Sequence, residues 1–367
     1  MSLIFKHQDV AFSLSVSAIE NKDLQQKIEI ALKDVFKGFI SCSAKCIALE
    51  FIFTDNIKSF IVDKEFIRVK DVKIGENQTH FKDTDLDFLI NNSNKFKVYI
   101  NISDNETLKS SLRIFNKAFK NNIELQISTF YYRIFLLFTQ IWNIENNCSY
   151  VHASAIEING NSILFTADSG VGKSSLLFKL SQDGNFKFIA DDLTIISDQA
   201  ESYYQGRCLS VKPYHLNFYS FLTARLSLLM SRMQKLQWKF LKDNRLTYRI
   251  SPNDLFDSIS EKSKIKSIIH LCNHDKDTYE IKNITIEELM NFTISILINE
   301  LFLANHKLNT LASLPFSPFQ STAKIYAASE DVFTSVFKNV SLKLVFVPYM
   351  SNPNDLYDFL KSEGCLN

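Results

Sequence analysis

The chain has 367 residues, of which 46% are hydrophobic and 22% charged, and its formal net charge is +1. This composition is typical of a soluble globular protein and supplies apolar material for one large or two medium domains. Because acidic and basic residues nearly balance, the overall charge favours neither a nucleic-acid nor a membrane partner, and none is expected.

The sequence contains no recognisable targeting or membrane-spanning segment. Its first ten residues lack the basic, apolar and small-residue order of a signal peptide. The most apolar stretch, Phe130–Trp142, is about 13 residues long and contains Arg133, which is too short to cross a bilayer. Six cysteines are scattered without a CxxC pair, so free thiols are expected rather than structural zinc. We therefore expect a cytoplasmic protein.

The N-terminal region, residues 1–148, mixes predicted strands and helices. Strands are predicted over Lys45–Thr54 and Lys95–Ile102 from their β-branched and aromatic content, and a helical region over Asn105–Asn146. Apolar residues recur there at helical spacing and are interpreted as core: Leu108, Leu112, Phe115, Phe119, Tyr131, Ile134, Phe138 and Ile141. The region shows no catalytic signature, so its candidate roles are acceptor binding or assembly.

A β-hairpin is predicted from two apolar runs, Ser154–Ile158 and Ser162–Phe165, joined by Asn159-Gly160. Asn-Gly favours a type I′ turn, because both central residues of that turn need positive φ. A two-residue turn pairs Ile158 with Asn161, and the same register places His152 opposite Ala167. A histidine there would lie within reach of a phosphate bound by the segment that follows the hairpin, although a structural role for this histidine remains open.

That segment, Ala167–Ser175, matches the phosphate-loop pattern GxxxxGK[ST] except that alanine replaces the first glycine. Small residues let backbone N–H groups converge on phosphate oxygens, and the helix that follows turns its N-terminus toward the anion. The lysine is placed to reach the β- and γ-phosphates, and the next serine to offer its hydroxyl to Mg²⁺. The predicted nucleotide-binding residues are Asp168, Ser169, Gly170, Val171, Gly172, Lys173, Ser174 and Ser175.

A helix over Lys173–Leu180 is predicted next, with Gly184 as its C-terminal cap, followed by a strand over Phe186–Ala190. The strand ends in Asp191-Asp192. Carboxyl ends of parallel strands line ligand crevices, so two acids here suggest one metal ligand and one base for an attacking hydroxyl. Neighbouring side chains on a strand point to opposite faces, which leaves the allocation open.

A helical insertion is predicted over about 212–250. Between Arg225 and Arg249 there are seven lysines or arginines and one acid, Asp243. Two interpretations remain open: a solvated basic helix face, or a clamp for an acidic or phosphorylated ligand. Further elements are predicted beyond it: strands over Lys266–Leu271 and Lys343–Val347, and a helix over Ile286–Leu303.

The run from His152 through Gly170-Val-Gly-Lys-Ser174 to Asp191-Asp192 resembles the catalytic core of the HPr serine kinase family, which shares its nucleotide fold with ATP-dependent phosphoenolpyruvate carboxykinase. The resemblance is specific over about residues 150–200 and looser to about 360. It implies γ-phosphate transfer from ATP to a serine hydroxyl. By position it also implies Asp191 as the acid that activates the acceptor, His152 as an active-site histidine, and Asp192 with Ser174 as metal-associated residues.

Two departures from the family bear on the substrate. Ser175 stands where bifunctional members often carry an acid, and Ser202–Arg207 replaces their glycine-rich segment after the acidic pair. The departures argue against the reverse phosphorylase reaction and against HPr itself as the acceptor. Three arginines are candidates for neutralising transition-state charge, without a basis for choosing among them: Arg207, Arg245 and Arg249.

The sequence therefore predicts an α/β protein with a mixed-sheet phosphate-loop core of the phosphoenolpyruvate carboxykinase-like type over 149–367, an α+β region over 1–148 and the helical insertion. The predicted catalytic residues are Asp191, His152 and Lys173, with ATP and Mg²⁺ as cofactors. The acceptor is a protein, a peptide or a small molecule, and the resemblance implies homo-oligomers. A nucleotide-binding regulatory module without phosphoryl transfer is the alternative. A motor NTPase and a carboxykinase proper are less favoured.

Overall fold

The computed structural model describes residues 2–43, 46–83, 86–103, 122–241, 247–302, 308–349 and 351–366. The chain divides into two compact units, Met1–Asn147 with Ile298–Ser329, and Cys148–Leu297 with Glu330–Asn367. The predicted boundary at 148/149 and the roles given to each side of it stay predictions. Among the described residues, no helix has the length and apolar character needed to cross a membrane.

Strands and helices are interspersed along the whole chain. The strands are β1 (Ser2–His7), β2 (Val10–Ala18), β3 (Ile47–Thr54), β4 (Ile67–Val69), β5 (Val72–Ile74), β6 (Gln78–Asp83), β7 (Leu86–Asn91), β8 (Asn94–Asn101), β9 (Cys148–Val151), β10 (Ala153–Ile158), β11 (Asn161–Thr166), β12 (Lys187–Ala190), β13 (Thr194–Ser197), β14 (Glu201–Tyr203), β15 (Leu209–Val211), β16 (Tyr248–Ile250), β17 (Lys262–His274), β18 (Glu280–Asn283) and β19 (Ser341–Pro348). The α-helices are α1 (Lys22–Val35), α2 (Asn122–Phe130), α3 (Leu136–Glu145), α4 (Lys173–Leu180), α5 (Ser220–Leu229), α6 (Arg232–Leu241), α7 (Ile286–Glu300), α8 (Leu308–Ala312), α9 (Thr322–Phe337) and α10 (Pro353–Ser362). A π-helical turn (Tyr131–Phe135) joins α2 to α3, and short 3₁₀ turns cover Ile57–Phe60, Pro213–Asn217 and Pro252–Asp254.

The first unit is built on an eight-stranded sheet in the order β1-β2-β3-β8-β7-β6-β5-β4. The central pairs β2–β3 and β3–β8 are parallel, and the outer pairs are antiparallel. Phenylalanine fills the core: Phe12 and Phe135 lie 4.9 Å apart edge to face, as do Phe53 and Phe130 at 5.1 Å. Such edge-to-face pairs add to the stabilisation from apolar burial.

The helical periodicity of the N-terminal region is confirmed where the structure describes it. Tyr131, Ile134, Phe138 and Ile141 are all buried, as expected for core positions rather than a cofactor site. The described helices there are α2 and α3 with the π-helical turn between them. The remainder of the predicted helical region, residues 105–121, lies outside the described residues.

The second unit contains a mixed sheet whose main path runs β12-β10-β11-β17-β14-β13-β9, with β19 beside β17 and β18 beside β19. Strands β11, β17 and β19 are parallel to one another, and β10 is antiparallel to both β11 and β12. Consequently β11, β12, β17 and β19 all end at one edge of the sheet, where β10 begins.

The predicted hairpin and its register are confirmed. Asn159 and Gly160 have φ of 51° and 79°, the left-handed pair that a type I′ turn requires. The ladder runs from Ile158 opposite Asn161 to Ala153 opposite Thr166. Six consecutive pairs follow from one two-residue turn, because a turn of fixed length sets the register of both strands.

The other predicted strands and helices of the second unit also form, with shifted ends, but Gly184 is not a helix cap. Helix α4 ends at Leu180 and is capped by Ser181 in a right-handed conformation. A right-handed cap does not need glycine, so the sequence signal was misleading here. Of the predicted insertion, the 3₁₀ turn Pro213–Asn217 and the helices α5 and α6 are helical, β16 pairs with β15, and residues 242–246 lie outside the described part.

Candidate functional site

Four segments of the second unit converge at the edge where β11, β12 and β17 end. The loop 167–172 follows β11, Asp191 and Asp192 follow β12, and His152 immediately precedes β10. The parallel pairing of β11 with β17 sets Thr166 opposite His270. Ligands of open α/β sheets bind at the carboxyl ends of the strands, so this edge is the candidate site.

The predicted phosphate loop has the backbone that anion binding requires. Gly170 and Gly172 have φ of 92° and 112°, which only glycine adopts without strain. A Cβ added to either glycine would meet no atom within 4 Å, so their outer side is open. Ala167, which replaces the usual first glycine, is fully buried. Helix α4 begins directly after Gly172, with no side chain capping its first turn, so its N-terminal dipole faces the loop.

Lys173 is folded onto the loop that precedes it. Its ammonium donates hydrogen bonds to the carbonyl of Ala167 at 2.8 Å and to that of Asp168 at 3.0 Å. The side chain is buried, so the cation is held at the loop rather than in bulk solvent. Asp168 also closes a local turn by accepting a 2.7 Å hydrogen bond from the N–H of Ser169.

Asp191 lies behind the start of α4 and is 4% exposed. Its carboxylate accepts a 2.7 Å hydrogen bond from the Ser154 hydroxyl, and the Ser174 hydroxyl lies 3.1 Å from each of its oxygens. Burial, together with the neighbouring charge of Asp192, raises the pKa of Asp191. The structure thus brings the predicted metal-binding serine to Asp191, whereas the sequence had grouped that serine with Asp192.

Asp192 occupies a strained turn on the more open side of the pair. Its φ is 72°, and the N–H of Leu193 bonds the carbonyl of Asp191 at 2.9 Å across it. A three-residue turn of this kind is rare, and non-glycine residues there are concentrated at functional sites. The Asp192 side chain is half-buried and forms an ion pair with Arg207. Burial opposes its ionisation, but Arg207, His152 and Lys173 together hold the pKa of Asp192 below its ordinary value.

His152 stands one residue beyond the β10–β11 ladder, which ends at Ala153 and Thr166. It continues the predicted register without forming a ladder pair with Ala167. The ring is 2% exposed, and its Nδ1 lies 3.6 Å from a carboxylate oxygen of Asp192. Burial, with Lys173 nearby, lowers the pKa of His152 to about 4, so the ring is neutral at pH 7. Whether it acts on a transferring phosphate stays a prediction.

Two residues of the site were missed from the sequence. His270 is buried, its Nδ1 lies 2.9 Å from the Thr166 hydroxyl, and its ring stacks on Phe292 at 4.8 Å. Burial and the nearby Lys173 lower its pKa to about 4. The other missed residue is Ser154, the buried donor to Asp191. Histidine within a predicted strand carries no local signal; only the pairing of β11 with β17 reveals its place.

The three candidate arginines separate in the structure. Arg207 pairs with Asp192 at the site, in the segment that follows β14. Arg249 lies in β16, opposite Ser210 of β15, and Arg245 lies outside the described residues. The glycine before Arg207 has φ of 83°, so the chain turns sharply where the guanidinium enters the site.

The donor set fits a nucleotide phosphate with a divalent cation. The loop combines two open glycines, a buried lysine and an uncapped helix start, which together suit a polyphosphate. The Ser174 hydroxyl and the carboxylates of Asp191 and Asp192 are oxygen donors of the type that Mg²⁺ prefers. Arg207 and Lys173 offset the charge of Asp192 and hold its pKa below the ordinary value.

Comparisons with known proteins add little beyond this geometry. No family model matches the chain, and no curated protein matches its sequence. Among solved structures, the Hpr(Ser) kinase/phosphatase from Coxiella burnetii is similar at 11% identity with a TM-score of 0.28, over 59% of this chain and 97% of that chain. A similarity of this size carries no weight for the function, which is inferred from the site itself.

Proposed function

We propose that this chain is an ATP-dependent phosphotransferase that moves the γ-phosphate to a hydroxyl group of a protein, peptide or small-molecule acceptor. A serine hydroxyl is the preferred candidate. The observation that carries the proposal is the contact of the Ser174 hydroxyl with Asp191 behind the glycine loop. The contact brings together a hydroxyl and a carboxylate, the two kinds of oxygen donor that hold Mg²⁺ beside a bound phosphate. The fold is then a phosphate-loop core of the phosphoenolpyruvate carboxykinase-like type.

Nucleotide binding falls to residues 168–175. Backbone N–H groups around Gly170 and Gly172 would hold the phosphates, and Lys173 would leave the carbonyls of the loop to contact the β- and γ-phosphate oxygens. Bound Mg²⁺ would neutralise the charge on those oxygens. Lys173 is already held within the loop that would bind the phosphates.

The contacts favour an allocation of the two acids opposite to the one expected from the sequence. Asp191 is enclosed by Ser154 and Ser174 and is 4% exposed, so an acceptor hydroxyl has little access to it. Asp192 is half-buried and ionised beside Arg207, so it is open to an acceptor. We therefore assign Asp191 to the metal with Ser174, and Asp192 to the acceptor.

In the proposed reaction Asp192 takes the proton of the acceptor hydroxyl while the hydroxyl oxygen bonds the γ-phosphorus and ADP leaves. Neutral His152, 3.6 Å from Asp192, orients that carboxylate. Arg207 and Lys173 offset the charge that builds up on the transferring group. Positioning and charge neutralisation account for most catalysis of phosphoryl transfer, and this set supplies both.

The decisive test is transfer of label from γ-labelled ATP with Mg²⁺ to the protein and small-molecule fractions of a host lysate. Wild type is compared with the Lys173→Ala, Asp191→Asn and Asp192→Asn variants. Label in one protein band or one metabolite, lost by at least a hundredfold in each variant, is the expected result. Retained ATP turnover in Lys173→Ala would overturn the loop assignment.

The regulatory module is distinguished in the same experiment. Tight ATP binding by the wild type without transfer to either fraction would identify a nucleotide-binding regulator. The roles of Asp191 and Asp192 are distinguished by how each replacement changes Mg²⁺-dependent ATP binding. Asp191→Asn should weaken Mg²⁺-dependent ATP binding, whereas Asp192→Asn should leave binding within about twofold and abolish only transfer. The reverse pattern would restore the allocation expected from the sequence.

A further inference from the structure

Helices α5 and α6 expose large apolar side chains to solvent. Leu228 is 80% exposed, Phe240 74% and Leu236 49%. Single exposed apolar residues are ordinary, but these occur close together in one short stretch of chain. We define the basic helical surface as the exposed apolar and basic residues of the two helices: Arg225, Leu228, Leu229, Arg232, Lys235, Leu236, Lys239 and Phe240.

The charge on this stretch is one-sided. Residues 225–249 contain seven lysines or arginines and one acid, while the whole chain has a net charge of only +1. Within the part of the chain that the structure describes, no carboxylate pairs with Arg225, Arg232, Lys235 or Lys239. All four are exposed, so their charge is available to an anionic partner.

Helix α6 arranges its exposed side chains in two adjoining stripes. Arg232, Lys235 and Lys239 recur at three- and four-residue spacing, so they share one face. Leu236 and Phe240, four residues apart, share the neighbouring face. Trp238, which is half-buried, lies on the other side of the basic stripe. Apolar side chains flanked by lysine and arginine are typical of a helix that lies in the plane of a membrane interface.

We infer that the basic helical surface binds an anionic lipid bilayer, with Leu228, Leu236 and Phe240 entering the headgroup region and the basic stripe contacting lipid phosphates. Charge complementarity identifies the partner, because anionic headgroups attract clustered lysine and arginine. A lipid surface fits better than an acidic polypeptide. The apolar side chains project from the helices, and a bilayer can take up projecting apolar groups at any point on its surface. The inference departs from the expectation of no membrane partner and modifies the phosphorylated-ligand interpretation of the insertion.

The helical segment is attached to the candidate site. The Tyr219 hydroxyl, just before α5, donates a 2.7 Å hydrogen bond to the carbonyl of Ser175. His215 packs its ring against Phe178 of α4, with ring centroids 4.9 Å apart. Lipid binding would therefore hold the phosphate-loop helix near a bilayer surface. The inference does not depend on the proposed phosphotransferase function and is tested without nucleotide.

The experiment is flotation of the full chain with phosphatidylcholine vesicles that contain or lack phosphatidylglycerol. We expect binding only to the vesicles with phosphatidylglycerol, and weaker but measurable binding at high salt. Because the chain has two tryptophans, the reporter is Phe240→Trp, on the apolar stripe, in a Trp142→Phe/Trp238→Phe background. Its emission should shift to the blue on those vesicles, as the ring leaves water.

Charge reversal tests the basic stripe, and polar replacement tests the apolar one. Lys235→Glu/Lys239→Glu should weaken binding more than tenfold, and Leu236→Ser/Phe240→Ser should remove the salt-resistant part. Lys58→Glu/Lys64→Glu, on exposed lysines of the first unit, makes the same charge change and should leave binding unaltered. Circular dichroism and thermal melting confirm that each variant is folded.

Three results would overturn the inference. One is no flotation of the wild type with anionic vesicles. Another is equal binding of wild type and Lys235→Glu/Lys239→Glu. The third is retention on immobilised poly-L-glutamate without any vesicle binding, which would identify the surface as a site for acidic polypeptides.

Discussion

The hydroxyl of Ser174 lies 3.1 Å from both carboxylate oxygens of Asp191, although the two residues belong to different elements, α4 and the turn after β12. Strand β12 is antiparallel to β10, and β10 to β11, so β12 and β11 end at the same edge. The contact exists because a loop and a turn that are distant along the chain leave the sheet side by side.

Asp191 and Asp192 are adjacent, yet their replacement should change stability in opposite directions. Asp191→Asn removes a carboxylate whose ionisation burial opposes, so metal-free protein at pH 7 should become more stable. Asp192→Asn removes the ion pair with Arg207 and should lose about 1 kcal/mol or more. Its φ of 72° adds nothing to that loss, since asparagine tolerates the left-handed region. Urea denaturation of both variants measures the signs; two destabilised variants would contradict the burial argument.

Thr166 and His270 should be energetically coupled. His270→Leu leaves the buried Thr166 hydroxyl without its 2.9 Å partner, and an unmade buried hydrogen bond costs roughly 1–3 kcal/mol. Thr166→Val alone should cost a similar amount. The stability loss of the double variant should be smaller than the sum of the two single losses by at least about 1 kcal/mol, because both polar groups are removed together. Additive losses in a urea-denaturation cycle would show that the contact contributes nothing.

Gly160→Ala tests the hairpin turn by itself. Gly160 has φ of 79°, and an added Cβ would meet no atom within 4 Å, so the whole effect is conformational. Alanine in the left-handed region costs roughly 1–2 kcal/mol. The neighbouring Asn159→Gly is the matched control and should change the urea midpoint little, because glycine adopts its φ of 51° freely. Equal midpoints for Gly160→Ala and wild type would refute the type I′ assignment.

His215 should make the second unit sensitive to acid. Burial, with Lys212 nearby, lowers its pKa from 6.5 to about 4, so the folded state resists protonation. The contribution of His215 to the free energy of unfolding is fully present above pH 6.5. It declines by on the order of 3 kcal/mol as the pH falls toward 4. His215→Asn retains an acceptor for the N–H of Lys212, which His215 Nδ1 bonds at 2.9 Å, but does not titrate there. We expect the variant to lose less stability than wild type between pH 6.5 and 4; parallel curves would exclude His215 as a cause.

The features predicted correctly from the sequence are local ones. The Asn159-Gly160 turn sets six ladder pairs, and the spacing of the two glycines before Lys173 sets the loop and the start of α4. A residue count along the chain is sufficient for both. The roles of Asp191 and Asp192 stay predictions, because they depend on which of the two side chains turns toward Ser174.

The parts of the site that the sequence did not reveal depend on pairing between distant strands. His270 reaches Thr166 across 104 residues, and Ser154 reaches Asp191 across 37. Arg207 was one of three candidate arginines, and no local pattern distinguished it. The prediction of Gly184 as a helix cap was wrong because it relied on a local signal alone. Glycine near a helix end suggests a cap, but Ser181 ends α4 in an ordinary right-handed conformation.

The parallel pairing of β11 with β17 has a consequence for biosynthesis. The strand that leads into the phosphate loop is synthesised about a hundred residues before the strand beside it, since Thr166 and His270 are 104 residues apart. Contacts so distant in sequence form late, after the intervening loop entropy has been overcome. A nascent chain that has not yet released β17 from the ribosome therefore lacks one wall of the candidate site, and any ligand of that site should bind only when the strand has emerged.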